Sequence, residues 1–217
     1  MKLSENTLNV LKNFSAINSG LVLQKGNVQK TISASKSVLV EAELEDNIPE
    51  QFGIYDLNQF LGNVTTLDNP ELNFNGNSVL MDDGNITFNY YSCSPNLIVS
   101  PPDKELTLKK VDVDFVLTNA VLSKLLKLAA MNNLTHLSVV GKNGEIRLQM
   151  HERANDTSNY ASFKLSDYVG DDFNAAFKVD NLKMIPDDYN VEIQLGAFAK
   201  FTSKSGKIKY FVALETK

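Results

Sequence analysis

Across its 217 residues the chain sets 21 lysines and arginines against 26 aspartates and glutamates, a net charge of −5, with 43% hydrophobic and 22% charged residues. This is the composition of a folded globular protein with room for one large core or two of ordinary size; it excludes disordered and fibrous classes. The acidic balance excludes a protein that coats nucleic acid through bulk charge, although a local reversal of sign can still meet phosphates.

The opening MKLSENTLNVLKNF is interrupted by Glu5, Asn6, Asn9, Lys12 and Asn13, so it does not read as a signal peptide. Within it, Leu8, Leu11 and Phe14, with Thr7 and Val10, recur at helical spacing, and Ser4 is placed to cap a first helix. INSGLVLQKGNVQKTISAS reads as two short strands around Lys25-Gly26-Asn27, and SVLVEAELE alternates Val38, Val40, Ala42 and Leu44 on one face. After Pro49, GIYDLNQFLG returns to helical spacing through Leu57, Phe60, Leu61 and Val64, with Asp56 as its cap. The segments ELNFNG, SVLM and NITFNYY are expected strands, the last two joined by the Asp82-Asp83-Gly84 turn. From Ser94 to Lys110 three prolines favour an extended, exposed segment, which sets the expected domains at 1–100 and 111–217 with a connector at about 95–110.

Beyond the connector the order begins again. TNAVLSKLLKLAAMNN (118–133) is the strongest helical pattern, with Val121, Leu122, Leu125, Leu126, Leu128 and Ala129 on one face and Ala120, Ser123, Lys124, Lys127 and Met131 on the other. A hairpin around Lys142-Asn143-Gly144 follows, then the strand YASFKLSDYV, then FNAAFKVDNLKMI ending in a short helical turn at 180–185, stopped by Pro186. VEIQLGAFAKFTS and KIKYFVALE are read as a closing hairpin. Order repeated at roughly 110 residues implies two copies of one α+β architecture, each with two helices laid on antiparallel sheets.

Sites for chemistry are scarce. The acidic doublets Asp82-Asp83, Asp171-Asp172 and Asp187-Asp188 lie beside Gly or Pro, as turns do, and none shows EF-hand spacing. His136 and His151 have no cysteine or further histidine at zinc-ligand spacing. Cys93 in NYYSCSP reads as structural, and neither GKNG nor KSGKI meets the Walker spacing. No metal, cofactor, catalytic residue or membrane contact is expected, and the chain reads as cytosolic. The notable charge is on helix 118–133, which carries Lys124 and Lys127 and no acid; Lys178 and Lys183 follow in the same half, and Lys12 sits on the polar face of the first helix. Such lysines are either an ordinary solvated face or a sparse phosphate-facing surface, and the spacing alone leaves both open.

MKLSENTLNVLKNFSAINSG, GIYDLNQFLG and YFVALE resemble the corresponding segments of the DNA polymerase sliding clamps, or processivity factors, of large tailed bacteriophages. The resemblance runs end to end in length and element order and is most specific in the first sixty residues. It implies a DNA-clamp fold: a homotrimeric ring of two-domain subunits, helices lining a hole threaded by duplex DNA, in the cytoplasm of the infected bacterial host. Sequence-independent contact with double-stranded DNA would then fall to Lys12, Lys124, Lys127 and Lys183, since GIYDLNQFLG carries no basic residue. The implied partners are the replicative DNA polymerase and the clamp-loader ATPase complex, with late transcription factors as a further class. Their peptides would meet Leu97, Ile98, Val99 and Pro101 in the connector and Phe211, Val212 and Leu214 in the last strand, residues that core alternation explains equally well. Two other readings remain at this level: a structural virion β protein assembling through strand edges, and a small hydrolase or lyase built around His136, His151 or an acidic doublet.

Overall fold

The computed structural model describes residues 1–155 and 157–215; Asp156 and the last two residues of the expected second domain lie outside the described residues. The chain divides into two compact units, one of Met1–Glu105 with Lys207–Lys209, the other of Leu106–Gly206 with the chain from Tyr210 on.

In the first unit, helix α1 spans Glu5–Ser15 and buries Thr7, Val10, Leu11 and Phe14. The Ser4 hydroxyl accepts from the Thr7 N–H, satisfying a donor that the helix start leaves open. Ser4 is fixed in turn by its own N–H, which donates to Asp46 at 2.7 Å. Helix α2, Leu57–Thr66, is capped by Asp56, which accepts from the Gln59 N–H, and it buries Leu57, Phe60, Leu61 and Val64. Each of these large side chains stabilises the fold by roughly 1.5–3 kcal/mol through burial. Strand β1 (Leu21–Leu23) pairs antiparallel with β4 (Phe52–Ile54), and β2 (Gly26–Ile32) with β3 (Val38–Ile48). β5 (Glu71–Phe74), β6 (Ser78–Asp82) and β7 (Thr87–Tyr91) form a three-stranded meander.

The strands flanking Lys25-Gly26-Asn27 therefore turn a corner between sheets and do not pair with each other. Gln29 holds that corner: fully buried, its amide donates to the carbonyls of Gln24 and Gly26 and accepts from the Gln24 N–H. On the opposite face of β2, Lys30 and Lys209 both bond the Glu41 carboxylate, at 2.8 and 2.9 Å. Burial pushes that carboxyl up, but the two lysines outweigh it and hold it below its ordinary value.

The second unit contains β8 (Val113–Leu117), helix α3 (Asn119–Asn132), β9 (His136–Lys142), β10 (Glu145–His151), β11 (Ala161–Asp167), β12 (Phe173–Lys178), β13 (Tyr189–Ile193), β14 (Phe198–Ser203) and, from Tyr210 on, β15 (Ile208–Ala213). One sheet has the order β11-β10-β9-β12, and in the other β8, β13, β14 and β15 are successive neighbours. Thr118 caps α3, and the Asn119 N–H donates to Asp188 at 2.8 Å. The β9–β10 turn has Asn143 at φ 54° and Gly144 at φ 80°, the left-handed pair that a two-residue hairpin requires.

Three expectations are corrected here. The second unit has no second α-helix among its described residues: Val179–Asn181 forms a single 3-10 turn, and 182–185 leave it without helical structure. The reason lies in two buried tyrosines. The Tyr210 hydroxyl accepts from the Ile185 N–H at 3.0 Å, and the Tyr189 hydroxyl donates to the Ile185 carbonyl, so both backbone groups of Ile185 are engaged outside any helix. Second, VEIQLGAFAKFTS is two strands, β13 and β14, divided by a turn with Gly196 at φ 74°. Third, β8, placed within the stretch preceding α3, was not anticipated; its pattern of one buried, three more open and one buried residue carries little periodicity.

Candidate DNA-facing and partner-facing surfaces

Lys12 stands exposed in the last turn of α1, at one side of a groove of about 360 Å³ between α1 and α2 that Leu8, Asn9, Asn58, Leu61 and Gly62 also line. The neighbouring helix α2 reads LNQFLGNVTT and has no ionisable residue, so the charges at this groove are those of α1, the Lys12 ammonium and the Glu5 carboxylate, among amides and hydroxyls. Gly62 widens the groove, because nothing lies within 4 Å of where its Cβ would be.

In the second unit, Leu122, Leu125 and Ala129 bury one side of α3, and this leaves Lys124 and Lys127 exposed and three residues apart on the other. Leu128, expected on the apolar face, is 42% exposed, so the buried stripe is narrower than the periodicity implied, while Met131, expected on the other face, is 80% exposed. Lys183 is exposed but follows the 3-10 turn and is carried on chain without regular secondary structure, two residues before the tyrosine-held Ile185. Lys178 is engaged with Glu215 at 3.5 Å.

Of the partner-facing candidates, Leu97 and Val99 are exposed at 66% and 43%, and Pro101 is half-buried. The connector is held by Asn18, whose amide donates to the Val99 carbonyl at 2.9 Å. The other partner-facing candidates, Ile98, Phe211 and Val212, are buried, at 9%, 7% and 0% exposure, and their side chains serve packing. Leu214 is half-buried, its N–H donating to Ala197.

Beside the connector lies a groove of about 340 Å³ that Leu21, Val22, Val28 and Thr31 line together with Val99 and Pro101. Sequence reasoning did not single out β1 and β2 here. The available signal was Val28, an apolar residue out of phase with Gln29 and Thr31 and now 45% exposed.

The residues considered for other chemistry resolve into structural roles. His136 and His151 are cross-strand partners on β9 and β10 with stacked rings 5.8 Å apart, a juxtaposition invisible in their spacing. Their ring nitrogens bond Thr135 and Ser138, and burial together with the charge of His136 pushes His151 down. Asp83 accepts from the N–H groups of Ile86, Asn85 and Asp68, which hold it below its ordinary value, and Asp82 accepts from Gly84, as a turn demands. Among the described residues no three potential metal ligands cluster. Cys93 is pushed up by burial, away from thiolate reactivity. No described helix is long and apolar enough to cross a membrane.

Residues 2–88 match the family model described as DNA polymerase processivity factor. The chain is 28% identical to a protein named sliding clamp from Vibrio phage KVP40, covering 99% of both chains. It is 29% identical to the sliding clamp of Enterobacteria phage T4, covering 99% of this chain and 97% of that one. Among solved structures, A. fulgidus PCNA bound to the C-terminal region of FEN-1 superposes with a TM-score of 0.71 at 15% identity, over 97% of this chain and 95% of that one. PCNA from Entamoeba histolytica gives 0.69 at 14%, with the same coverage. At these identities the structural likeness establishes the fold.

Proposed function

We propose that this chain, a sliding clamp and DNA polymerase processivity factor of the large tailed bacteriophages, closes with two further copies into a homotrimeric ring around duplex DNA and tethers the replicative polymerase there. The observation that carries this reading is the end-to-end similarity to phage sliding clamps, 99% of the chain in each comparison. No catalytic step is assigned to it; processivity comes from topology, so the contacts with DNA need only be weak.

Lys12, Lys124, Lys127 and Lys183 are proposed to face the duplex in the ring. A few lysines give a salt-sensitive, sequence-independent attraction, since each neutralised phosphate releases counterions. Ring closure is assigned to open strand edges. β7 ends the meander of the first unit and bears exposed Phe88 and Tyr91, with Ile86 just before it. β11 ends a sheet of the second unit and bears exposed Phe163, with Tyr160 just before it. A long edge with exposed apolar side chains is a template for another chain, and a heterologous contact of β7 on one copy with β11 on the next generates a closed ring.

The connector and its groove are proposed to capture peptides of the polymerase and of the clamp-loader ATPase complex through Leu97, Val99, Pro101 and Leu214, and late transcription factors would use the same surface. The A. fulgidus relative, solved with a C-terminal region of a partner bound, supports peptide capture as the mode. The site of action is the cytoplasm of the infected host.

The test is primer extension on long single-stranded DNA with the cognate polymerase and loader. Addition of the clamp and ATP is expected to lengthen products from a single binding event, and linear DNA with free ends is expected to lose the clamp. Unchanged product length would overturn the tethering role.

A further inference from the structure

Three steps in the sequence join an asparagine or aspartate to a glycine: Asn75-Gly76, Asp83-Gly84 and Asn143-Gly144. Each lies in a hairpin turn, between β5 and β6, β6 and β7, and β9 and β10 respectively. Such a step carries its own chemistry. The glycine nitrogen is a nucleophile with no side chain beside it, and the preceding side-chain carbonyl carbon lies where attack would close a five-membered ring. Whether the ring forms depends on how firmly the two reacting groups are held.

At the first two turns both groups are held. The Asn75 side-chain oxygen accepts from the Ser78 N–H at 2.9 Å and from the Ser78 hydroxyl at 3.1 Å, and the Gly76 N–H donates to Glu50. The Asp83 carboxylate accepts from the N–H groups of Asp68, Asn85 and Ile86, and the Gly84 N–H donates to Asp82 at 2.8 Å. Those bonds also keep Asp83 ionised, and a carboxylate is a poor electrophile. The third turn differs. Asn143 and Gly144 are exposed, and among the described residues no hydrogen bond holds the Asn143 carboxamide or the Gly144 N–H. Ring closure requires the peptide between them to turn out of the left-handed geometry, with Asn143 at φ 54°. That motion frays the Lys142–Glu145 pair, which closes the hairpin at the end of its ladder, where opening costs least.

We propose that Asn143 is a site of spontaneous covalent modification, converting through a succinimide to aspartate and isoaspartate, while the turns at Asn75 and Asp83 protect theirs. The Gly144 nitrogen adds to Asn143 Cγ, the bond from Cγ to the side-chain nitrogen breaks, and that nitrogen leaves as ammonia with the proton from Gly144. Water then opens the ring. Cleavage at Cγ gives aspartate, and cleavage at the main-chain carbonyl gives isoaspartate. Aspartate is accepted at a positive φ much as asparagine is. Isoaspartate routes the main chain through Cγ and adds one carbon, so a two-residue turn no longer closes in register. The Gly144 carbonyl, which accepts from the Tyr168 N–H at 2.8 Å, is then drawn off its donor. Tyr168 packs edge-on against Phe173 with centroids 5.4 Å apart, so a change at the hairpin tip loosens the loop between β11 and β12. The modification belongs to a single subunit and does not depend on ring closure.

The experiment ages the full-length clamp at neutral and at mildly alkaline pH and follows both asparagines by peptide mapping, with electron-transfer fragmentation to separate isoaspartate from aspartate. The same chain unfolded in urea reports the rates that local sequence alone sets. In the folded clamp Asn143 is expected to convert about tenfold faster than Asn75 or more, because Asn75 must first give up its hydrogen bonds. Its conversion should quicken as pH rises, with isoaspartate the larger product, and in urea the two sites should convert alike. Amide exchange at Tyr168 should rise in the aged protein. Asn143→Gly, which keeps a residue suited to the positive φ, should abolish both changes. Glu50→Ala frees the Gly76 N–H and is expected to speed Asn75 about fivefold while leaving Asn143 unchanged. An Asn143 that stays intact while both sites convert in urea would overturn the proposal, as would a folded-state Asn75 that converts as fast as Asn143. Conversion with no change at Tyr168 would overturn the coupling to the β11–β12 loop and leave the modification standing.

Discussion

Tyr189 and Tyr210 decide the local course of the chain between β12 and β13. Burial pushes the Tyr210 hydroxyl up to about 12 and moves Tyr189 up as well. A phenol whose folded-state value is raised contributes stability that is complete below the ordinary value of 10.0 and is lost as pH rises toward 12. Alkaline unfolding should therefore begin above about pH 10. Tyr210→Phe is expected to cost about 1–2 kcal/mol in urea denaturation at neutral pH, by leaving the Ile185 N–H unpaired, and to delay the alkaline transition. Gly53 is another such position: a Cβ there would lie 2.2 Å from the Cys93 carbonyl oxygen, a backbone atom that cannot swing aside. The two segments approach this closely because the Cys93 N–H donates to the Gly53 carbonyl at 3.0 Å. Gly53→Ala should destabilise by about 3 kcal/mol, and an unfolding free energy within about 0.5 kcal/mol of the parent would contradict the packing described.

At the scale of elements, α3 combines a secure start with a lightly charged outer face. Thr118 and Asp188 satisfy its first N–H groups, so Lys124 and Lys127 can be changed without endangering the helix. The double variant Lys124→Glu, Lys127→Glu should retain the parent melting temperature within a few degrees, yet shorten the product length per binding event and reduce the dependence of DNA association on salt. Helices α1, α2 and α3 were legible because each has a cap, an apolar stripe and a clear stop. The missing helix at 180–185 was not, because what prevents it is a pair of hydroxyls from residues four and 25 positions away. For the same reason the stacking of His136 on His151 and the groove along β2 stayed hidden: both are products of pairing between segments that no local pattern announces. Phe211 and Val212 read equally as core or as contact from alternation, and only their burial separates the two.

At the scale of the whole molecule, assembly should depend on β7 and β11 and on little else. Phe163→Asp, on an edge strand where the parent side chain is 39% exposed, is expected to leave each subunit folded by circular dichroism. Light scattering should then report a mass near 24.1 kDa in place of three times that value. A trimer that survives both this change and Phe88→Asp would move the interface elsewhere.

The uncharged surface of α2 has a consequence for motion along DNA. A row of ammonium groups facing a helical lattice of phosphates creates wells and barriers that recur with the backbone, and hopping over them acts as friction. Amides and hydroxyls, exchanging hydrogen bonds with intervening water, leave a smoother landscape. With α2 presenting LNQFLGNVTT, that helix would add almost no corrugation in the proposed ring, and diffusion should be paced by Lys12 and by the lysines of α3 and their neighbours. Installing a charge at an exposed position, as in Asn58→Lys, should slow one-dimensional diffusion of loaded clamps in single-molecule tracking and make its rate salt-dependent, while the ring itself stays closed. In the proposed ring the neutral helix would act, in this sense, as a bearing surface.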